Sequence, residues 1–307
     1  MSATADMPAA DAAAARPPTI SVIIPHYNDL QALSLCHARL LAQSWPREDF
    51  EIVVADNNSR CGLEAVRAAA PTARVVPAQI QGAGPARNAG VAASRGTILA
   101  FTDSDCVPEP HWLREGVAAL AHCDFAGGQV LTLAHDPRRP NAIEAFEIVF
   151  NFNFRRYIEK VGFTGTGNLF VPRSHFDRIG PFRTAVSEDM EWCFRARGLG
   201  LRIGYAERAV VGHPARQSWA ELKGRWVRML SEHHSLAATQ PQGRIKFALK
   251  AVAMPFSVVP HAARVMASDR LPDARTKLGA ILVLARLRLW RAGRMLRLVS
   301  GVAVPGG

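Results

Sequence analysis

The sequence predicts an α/β fold, in which a mostly parallel sheet is flanked by helices and followed by a helical C-terminal extension. Short apolar runs alternate with helical patterns over residues 19–101, which is typical of βαβ units. Acidic and polar residues stand directly after those runs, at the strand ends where open parallel sheets bind ligands. Beyond about residue 218 the pattern is helical and is divided by Pro241, Pro255, Pro260 and Pro272.

The first half contains four predicted strands separated by three predicted helices. The strands are Thr19 to Pro25, Phe50 to Ala55, Ala73 to Val76 and Thr97 to Phe101. The helices run from Asp29 to about Gln43, over 62–70 and from Gly84 to Ser94. Asp29 is expected to cap the first helix, because its carboxylate can accept hydrogen bonds from the free amides of the first turn. Strands that alternate with helices pair in parallel through right-handed crossovers.

The second half is less regular. Its predicted strands are Phe125 to Leu133, Leu169 to Val171, Leu201 to Tyr205 and Ala209 to Val211. Helices are predicted over 141–160 and 188–198, and Ser187 can cap the second of them. Residues 1–18 are rich in Ala and Pro and lack the basic start and apolar core of a signal peptide, so they predict a disordered tail. We therefore expect a tail over 1–18, an α/β domain over 19–215 and an extension over 216–307.

Composition and charge limit the class of protein. A chain of 307 residues that is 49% hydrophobic can bury a sizeable core. The five cysteines are scattered and never spaced C-x-x-C, which argues against a disulfide framework or a zinc site and predicts a cytoplasmic protein. Residues 241–307 contain 12 Lys and Arg against 2 Asp and Glu, so the net charge of +11 belongs almost entirely to the extension.

The most informative motif is Asp103-Ser104-Asp105, which follows the apolar strand ending at Phe101. Two carboxylates at this place can both point into the crevice at the sheet edge. Hard oxygen ligands suit Mg²⁺ or Mn²⁺ and a diphosphate bridged by the metal. Taken alone, the same triplet is more often a solvated turn.

Two further segments fit a nucleotide site. Asp56 ends the second strand, as a nucleotide-contacting carboxylate does, although capping of the next turn explains it equally well. The glycine-rich segment 82–90 is not a Rossmann fingerprint, because Arg87 occupies the third glycine position and the segment follows the third strand. Arg87 instead stands on the first turn of a helix, where guanidinium and helix N-terminus both favour a phosphate.

Candidate catalytic groups lie in the second half. Glu188 and Asp189 open a helix, where acidic residues are ordinary helix chemistry, but Asp189 can also serve as a general base at the mouth of the site. His213 follows two strand-like segments and can complete the metal shell begun by Asp103 and Asp105.

Several motifs recur in a fixed order: Val22 to Asp29, Asp56, Gly84 to Gly90, Asp103 to Asp105, Gly167-Asn168, Glu188-Asp189 and His213. In this order the chain resembles family-2 glycosyltransferases with the GT-A fold, over about residues 19–215. Each motif is weak, but the ordered set is specific. The resemblance implies inverting transfer from a nucleoside-diphosphate sugar, with Mn²⁺ or Mg²⁺ as cofactor.

The resemblance also implies roles for individual residues. Donor contacts are expected from Pro25, Tyr27, Asn28, Asp56, Arg87, Asp103, Ser104, Gly167 and Asn168. The metal would be bound by Asp103, Asp105 and His213. Asp189, with Glu188 beside it, would take the proton of the acceptor hydroxyl, on a glycan or a lipid-linked saccharide.

One departure and two alternatives qualify this expectation. Processive synthases of the family carry Gln-x-x-Arg-Trp, whereas this chain has Leu222 at the Gln position before Arg225-Trp226, which favours a single-addition enzyme. A sugar nucleotidyltransferase would need a glycine-rich loop after the first strand, where this chain has Pro25 to Asn28. A non-catalytic nucleotide-sugar binder would not need Asp103, Asp105 and Asp189 together.

The basic extension leaves two hypotheses open. Helical spacing predicts one apolar arc, made of Leu278, Ile281, Leu282, Ala285, Leu289, Ala292, Leu296 and Val299. The extension either packs on the α/β domain or lies on the anionic inner face of the cytoplasmic membrane through residues 241–307. Nucleic acid is not an expected partner, because aromatic residues are not interleaved with the charge.

Overall fold

The computed structural model describes residues 18–184, 187–238 and 242–300. The predicted tail over 1–18 therefore lies outside the described residues, apart from Pro18. Within the described ranges, one eight-stranded sheet has the strand order β3-β2-β1-β4-β7-β6-β8-β5. Its strands are β1 (Ile20–His26), β2 (Phe50–Asp56), β3 (Arg74–Pro77), β4 (Ile98–Thr102), β5 (Val107–Pro108), β6 (Phe125–Leu133), β7 (Asn168–Pro172) and β8 (Ile203–Pro214).

The sheet is mixed but mostly parallel, as predicted. Strands β1 to β4 are mutually parallel where they pair, and β8 is parallel to β6. Strand β7 is antiparallel to both β4 and β6, and the short β5 is antiparallel to β8. Consequently the carboxyl ends of β1, β2, β4 and β8 all lie at the same edge as the start of β7.

Helices cover both faces of the sheet and form the extension. The helices are α1 (Leu30–Leu41), α2 (Gly62–Ala69), α3 (Ala83–Ala92), α4 (Trp112–Ala119), α5 (Ala142–Phe150), α6 (Phe154–Arg156), α7 (Arg173–Ile179), α8 (Glu188–Gly198), α9 (Trp219–Ala238), α10 (Gly243–Ala253), α11 (Val258–Met266) and α12 (Ala274–Ser300). Short 3-10 turns occupy Arg47–Asp49 and Pro255–Ser257, and a π-helical turn occupies Tyr157–Val161.

The alternation of side chains along each strand explains the two layers. Val22, Ile24 and Val54 face one side and pack with α1 and α4. Ile23, Val53, Leu99 and Phe101 face the other side, where an aromatic cluster joins them. In that cluster the ring of Phe182 lies 5.4 Å from Phe101 and 5.4 Å from Trp192. These contacts fix the chain just before α8, which carries the candidate base.

Three local predictions differ from the structure. The predicted helix over 141–160 ends at Phe150, and the side chain of Asn153 begins a new turn by accepting a hydrogen bond from Arg156. The two strands predicted over 201–211 form a single β8, whose register to β6 shifts after Gly128. Ser187 has φ 54° and makes no side-chain cap, whereas Asp29 caps α1 through the Ala32 amide at 2.9 Å.

The extension packs on the α/β domain through a face of α12 that the sequence pattern does not single out. Buried residues of α12 are Ala280, Val283, Leu284, Leu287, Arg291, Ala292 and Met295. Of the predicted apolar arc, Ala292 is buried, whereas Leu278, Leu282 and Leu289 are 57%, 63% and 61% exposed. The helix is apolar on more than one side, so its packing against α5 and not its periodicity decides which side is buried. Among the described residues, none of the helices has the length and apolarity needed to cross a bilayer.

Candidate active site

The sheet topology brings four sequence-distant segments to one edge. Thr102 pairs with Asn168, so Gly167 lies beside Asp103, the residue after β4. Val107 pairs with Gly212, so His213 lies beside the turn that holds Asp105. A Cβ at Gly167 would stand 2.8 Å from Asp103 Oδ2, which explains why glycine occupies this position.

Asp103 and Asp105 lie in a cluster of metal-ligand type with Cys106, and His213 adjoins this cluster at Asp105. Ligand atoms of Asp103, Asp105 and Cys106 lie within 4.8 Å of one another. His213 Nε2 is 3.4 Å from Asp105 Oδ2, and His213 Nδ1 is 2.8 Å from its neighbouring carbonyl at Pro214. A proton on Nδ1 would donate to that carbonyl and leave the Nε2 lone pair facing the carboxylate, an arrangement that a cation between the two groups stabilises.

The pKa shifts within this cluster also favour a bound cation. Burial raises the pKa of Asp105, the charge of Asp103 raises it further, and His213 opposes both. Two adjacent carboxylates in such a place are relieved by a divalent ion. Burial likewise raises the pKa of the Cys106 thiol far above its usual value, and the neighbouring aspartates add to this. A protonated thiol is a poor ligand for a hard cation, so Cys106 forms a wall of the site.

Arg87 is a buried bridge between two carboxylates. Its Nη2 donates to Asp103 Oδ1 at 2.6 Å and its Nη1 donates to Glu188 Oε1 at 2.6 Å. The residue is only 5% exposed. Glu188 Oε2 in turn accepts from the Gly84 amide at 3.1 Å. Both terminal nitrogens of Arg87 are thus used within the protein, which gives it a positioning role that the sequence pattern did not indicate.

Asp189 opens into a cavity of about 550 Å³ whose lining also includes Asp103, His213 and Gly165. Its Oδ1 accepts a hydrogen bond from the Met190 amide at 2.8 Å. Burial raises the pKa of Asp189 and Glu188 contributes to the rise, while the Met190 amide and Arg87 oppose it. A carboxylate of raised pKa is a better proton acceptor than an ordinary surface aspartate.

A second cavity of about 390 Å³ adjoins the first across Asp103, Arg87 and His213. Its lining includes Pro25, Tyr27 and Ser104, which are predicted donor contacts, and Asp105, which is a predicted metal ligand. His26 and Asn57 also line it, and sequence reasoning did not name them. Tyr27 is 45% exposed, so its ring is available to a ligand.

Three predicted donor contacts, Asp56, Asn28 and Asn168, lie outside these two cavities. Asp56 is buried, 3.1 Å from His26 Nδ1, and accepts from the Ser59 amide. The Asn28 side chain accepts from the Arg60 amide and shapes the loop after β1. These two side chains therefore support the residues that line the cavity.

The Asn168 side chain makes hydrogen bonds within the protein that the sequence did not predict. Its Oδ1 accepts from Trp112 Nε1 at 2.9 Å, and its Nδ2 donates to the carbonyls of Gln129 and Ala209 at 2.9 and 2.8 Å. The side chain is buried and ties β6, β7, the bulge of β8 and α4 together. Both Nδ2 hydrogens and Oδ1 have protein partners, so we interpret Asn168 as structural, whereas the sequence predicts a direct contact with the donor.

Besides His26 and Asn57, four residues near the site were not predicted from the sequence. Asn88 holds the segment before α8 by exchanging two hydrogen bonds with the backbone of Phe182. Phe152, Arg216 and Arg225 line the 550 Å³ cavity from the side of the extension. Two of them had a sequence signal: Asn88 stands in the motif Gly84 to Gly90, and Arg225 stands in the segment that resembles Gln-x-x-Arg-Trp.

Comparisons with known proteins agree with this geometry. The model of glycosyl transferase family 2 matches residues 21–182. Glycosyltransferase AglE of Haloferax volcanii is 32% identical over 208 residues, which cover 65% of this chain and 68% of AglE. Validoxylamine A glucosyltransferase of Streptomyces hygroscopicus is 29% identical over 60% of this chain, which spans only about half, 52%, of that protein.

Two solved structures share the fold at low identity. The mannosyltransferase PcManGT of Pyrobaculum calidifontis, in complex with GDP-Man and Mn²⁺, superposes with a TM-score of 0.57 at 19% identity, covering 93% of this chain and 87% of its own. Residues 1–349 of S. aureus TarS, in complex with UDP-GlcNAc, give a TM-score of 0.52 at 19% identity, covering 92% and 91% of the two chains. These similarities confirm the GT-A architecture, and the family match shows that the chain is a glycosyltransferase of family 2.

Proposed function

We propose that the protein transfers a sugar from a nucleoside-diphosphate donor to an acceptor hydroxyl, with inversion at the anomeric carbon. The observation that carries this proposal is the shared cavity of Asp103, His213 and Asp189. It supplies a diphosphate site and a proton acceptor at one place. The adjoining cavity lined by Pro25 and Tyr27 suits the base and ribose of the nucleotide.

A divalent cation, Mn²⁺ or Mg²⁺, fits this set of candidate metal ligands. Asp103, Asp105 and His213 would hold it with two carboxylates and an imidazole. When bound, such an ion neutralises charge on the departing diphosphate. The complex of PcManGT with GDP-Man and Mn²⁺ supports this assignment by analogy. Arg87 holds Asp103 in place from behind, and this fixes one ligand before the donor arrives.

Asp189 is proposed as the general base. As the acceptor oxygen bonds to the anomeric carbon, its proton passes to the Asp189 carboxylate and the bond from that carbon to the diphosphate oxygen breaks. Glu188 is held by Arg87 and Gly84 through both of its oxygens, so it is not free to act as a nucleophile. One free carboxylate supports a single displacement and hence inversion.

The acceptor is proposed to be a glycan or lipid-linked saccharide. Phe152 and Phe154 stack with their ring centroids 5.6 Å apart on the wall of the 550 Å³ cavity, and aromatic faces are suited to packing against sugar rings. The side chains that would choose among acceptors come from the 150–157 segment and from α9.

The extension is proposed to rest on an anionic membrane surface, on the inner face of the cytoplasmic membrane. Apolar side chains that are 53% to 76% exposed recur at spacings of three, four or seven residues from α10 through the Pro255–Ser257 turn into α11: Ile245, Leu249, Val252, Phe256, Val259 and Met266. We call this set the apolar stripe. Exposed Arg244, Lys246 and Lys250 flank it on α10. An exposed apolar row with basic neighbours is the arrangement by which helices lie in a membrane interface.

Calorimetric titration tests the donor assignment. The full chain is titrated with UDP, GDP and dTDP, each with and without Mn²⁺, and the Asp105→Ala variant is the comparison. We expect one nucleotide to bind in a Mn²⁺-dependent manner, and we expect Asp105→Ala to lose that binding. Absence of metal-dependent binding for all three nucleotides would overturn the proposal.

A further inference from the structure

A third cavity of about 220 Å³ lies where the extension meets the domain. It is enclosed by α5, the 151–157 segment, α9, α11 and α12. Five arginines line it: Arg156, Arg225, Arg264, Arg288 and Arg291. We call it the arginine pocket. Phe152 and Arg225 line both this pocket and the 550 Å³ cavity of Asp189, so the two spaces share a wall.

Arg291 is the most unusual of the five. It is only 7% exposed, and its guanidinium carbon lies 3.6 Å from the ring centroid of Trp226. Its Nε has no hydrogen-bond partner among the described residues. Burial, together with the nearby charge of Arg288, lowers the pKa of Arg291 to about 9. A buried cation is ordinarily paired with an anion, and the described side chains do not supply one here.

The pocket as a whole has an excess of positive charge. Glu147 is the acidic residue in its lining, and its Oε1 already accepts from Arg216 at 3.0 Å and Arg225 at 3.3 Å. Arg225 also donates to Asn151. Within the described part of the chain, Arg156, Arg264, Arg288 and Arg291 are not within ion-pair distance of a carboxylate. Four guanidinium groups therefore face one small space without a counter-charge.

We propose that the arginine pocket binds a phosphate or diphosphate group carried by the acceptor. This inference rests on the proposed function, since it assigns the acceptor class of the same site. Guanidinium groups bind phosphate oxygens through paired hydrogen bonds, and several of them around one cavity match a multiply charged group. The remaining lining includes Phe146, Phe150 and Leu287, so the group would be held between apolar walls.

The position of the pocket supports a phosphate attached to a larger molecule. Through the wall formed by Phe152 and Arg225, the sugar of such an acceptor would extend toward Asp189. On the other side, His261 and Arg264 line the pocket from α11, the helix that also carries Val259 and Met266 of the apolar stripe. A lipid-borne phosphate and a water-soluble one share this chemistry, and the experiment separates them.

The first arm of the experiment is calorimetric titration of the full chain with sodium pyrophosphate and with inorganic phosphate, in EDTA so that metal-dependent binding is suppressed. The pocket variant is Arg156→Ala/Arg288→Ala, whose side chains make no hydrogen bond among the described residues. The matched control is Arg275→Ala/Arg297→Ala, which removes the same charge from exposed positions of α12.

We expect saturable pyrophosphate binding that is weakened about tenfold or more in the pocket variant, because charge-assisted hydrogen bonds are lost, and unchanged in the control. Absence of binding, or equal affinities of the two variants, would overturn the inference. Mn²⁺-dependent nucleotide titration of the same samples separates the two proposals: intact nucleotide binding with failed pyrophosphate binding defeats only this inference.

The second arm uses phosphatidylcholine vesicles with and without phosphatidic acid. Retention that requires phosphatidic acid, and that falls in the pocket variant but not in the control, supports a phosphate borne by a lipid. Equal retention of both variants, together with pocket-dependent pyrophosphate binding, supports a water-soluble phosphate carrier.

Discussion

Arg87 Nη1 donates to Glu188 Oε1 at 2.6 Å, and this ion pair joins α3 to the first turn of α8 across 101 positions of sequence. Because Asp189 follows Glu188 directly, the pair fixes where the candidate base stands. The other nitrogen of Arg87 holds Asp103. One buried guanidinium thereby connects a candidate metal-binding carboxylate, Asp103, to the helix turn that carries the candidate base.

Gly84→Ala tests this arrangement. A Cβ at Gly84 would stand 2.8 Å from Glu188 Oε2, so the added methyl group should displace Glu188 and with it Asp189. We expect turnover to fall about 10²-fold, the order of loss produced by a displacement of about 1 Å in an active site. Gly198→Ala is the matched control, because a Cβ at that end of α8 meets nothing within 4 Å. Equal turnover of the two variants in a steady-state assay would show that Glu188 does not position the base.

Asn168→Leu tests the structural role of that residue. The substitution removes the acceptor of Trp112 Nε1 and the donor to two carbonyls, so we expect a loss of about 1–3 kcal/mol in the free energy of unfolding for each unsatisfied group. Urea denaturation measures the loss. Nucleotide affinity of the folded fraction should stay within about twofold of wild type, which corresponds to well under 1 kcal/mol. A large loss of affinity at unchanged stability would instead make Asn168 a donor contact.

The raised pKa of Asp189 predicts a stability effect with a definite sign. Burial favours the protonated form in the folded protein, so ionisation of Asp189 destabilises the fold as pH rises through the raised pKa. Asp189→Asn, which stays neutral, should therefore have a higher Tm than wild type at neutral pH. The difference should shrink as pH falls through the raised pKa and vanish below the ordinary aspartate value of 3.8. Thermal unfolding of the two proteins across pH checks this, and a lower Tm for Asp189→Asn at neutral pH would refute it.

Vesicle flotation tests the apolar stripe. Val252→Asp/Phe256→Asp changes two side chains that are 58% and 76% exposed, so folding should be unaffected. Each buried apolar side chain contributes about 1.5–3 kcal/mol, so we expect binding to anionic vesicles to fall by about a hundredfold or more. Ile80→Asp, at a 66% exposed position away from the extension, is the control. Equal flotation of the two variants would show that the apolar stripe does not contact the membrane.

The fold could be predicted because the sequence signals for its strands and helices are local. Apolar runs and strand-end acids are visible along the chain, and the strand from Phe125 to Leu133 and the helix from 188 to 198 have the predicted limits. It could not find the partners of Arg87, because an ion pair with Glu188 depends on how two helices pack. For Asn168 it recognised the motif but not the buried hydrogen bonds to Trp112 and the β8 bulge. In α12 the packing surface of α5 selected Val283 and Leu287 over Leu282 and Leu289.

The most direct test of the account is a paired measurement on Asp189→Asn. Nucleotide affinity is measured by calorimetry in Mn²⁺, and turnover is measured as nucleoside diphosphate released from the corresponding sugar donor with its acceptor. We expect turnover to fall about 10²–10⁴-fold, the usual contribution of a general base, while the Kd for the nucleotide stays unchanged. A Kd that rises in step with the loss of turnover, or turnover that persists, would contradict the assignment of Asp189 as the base.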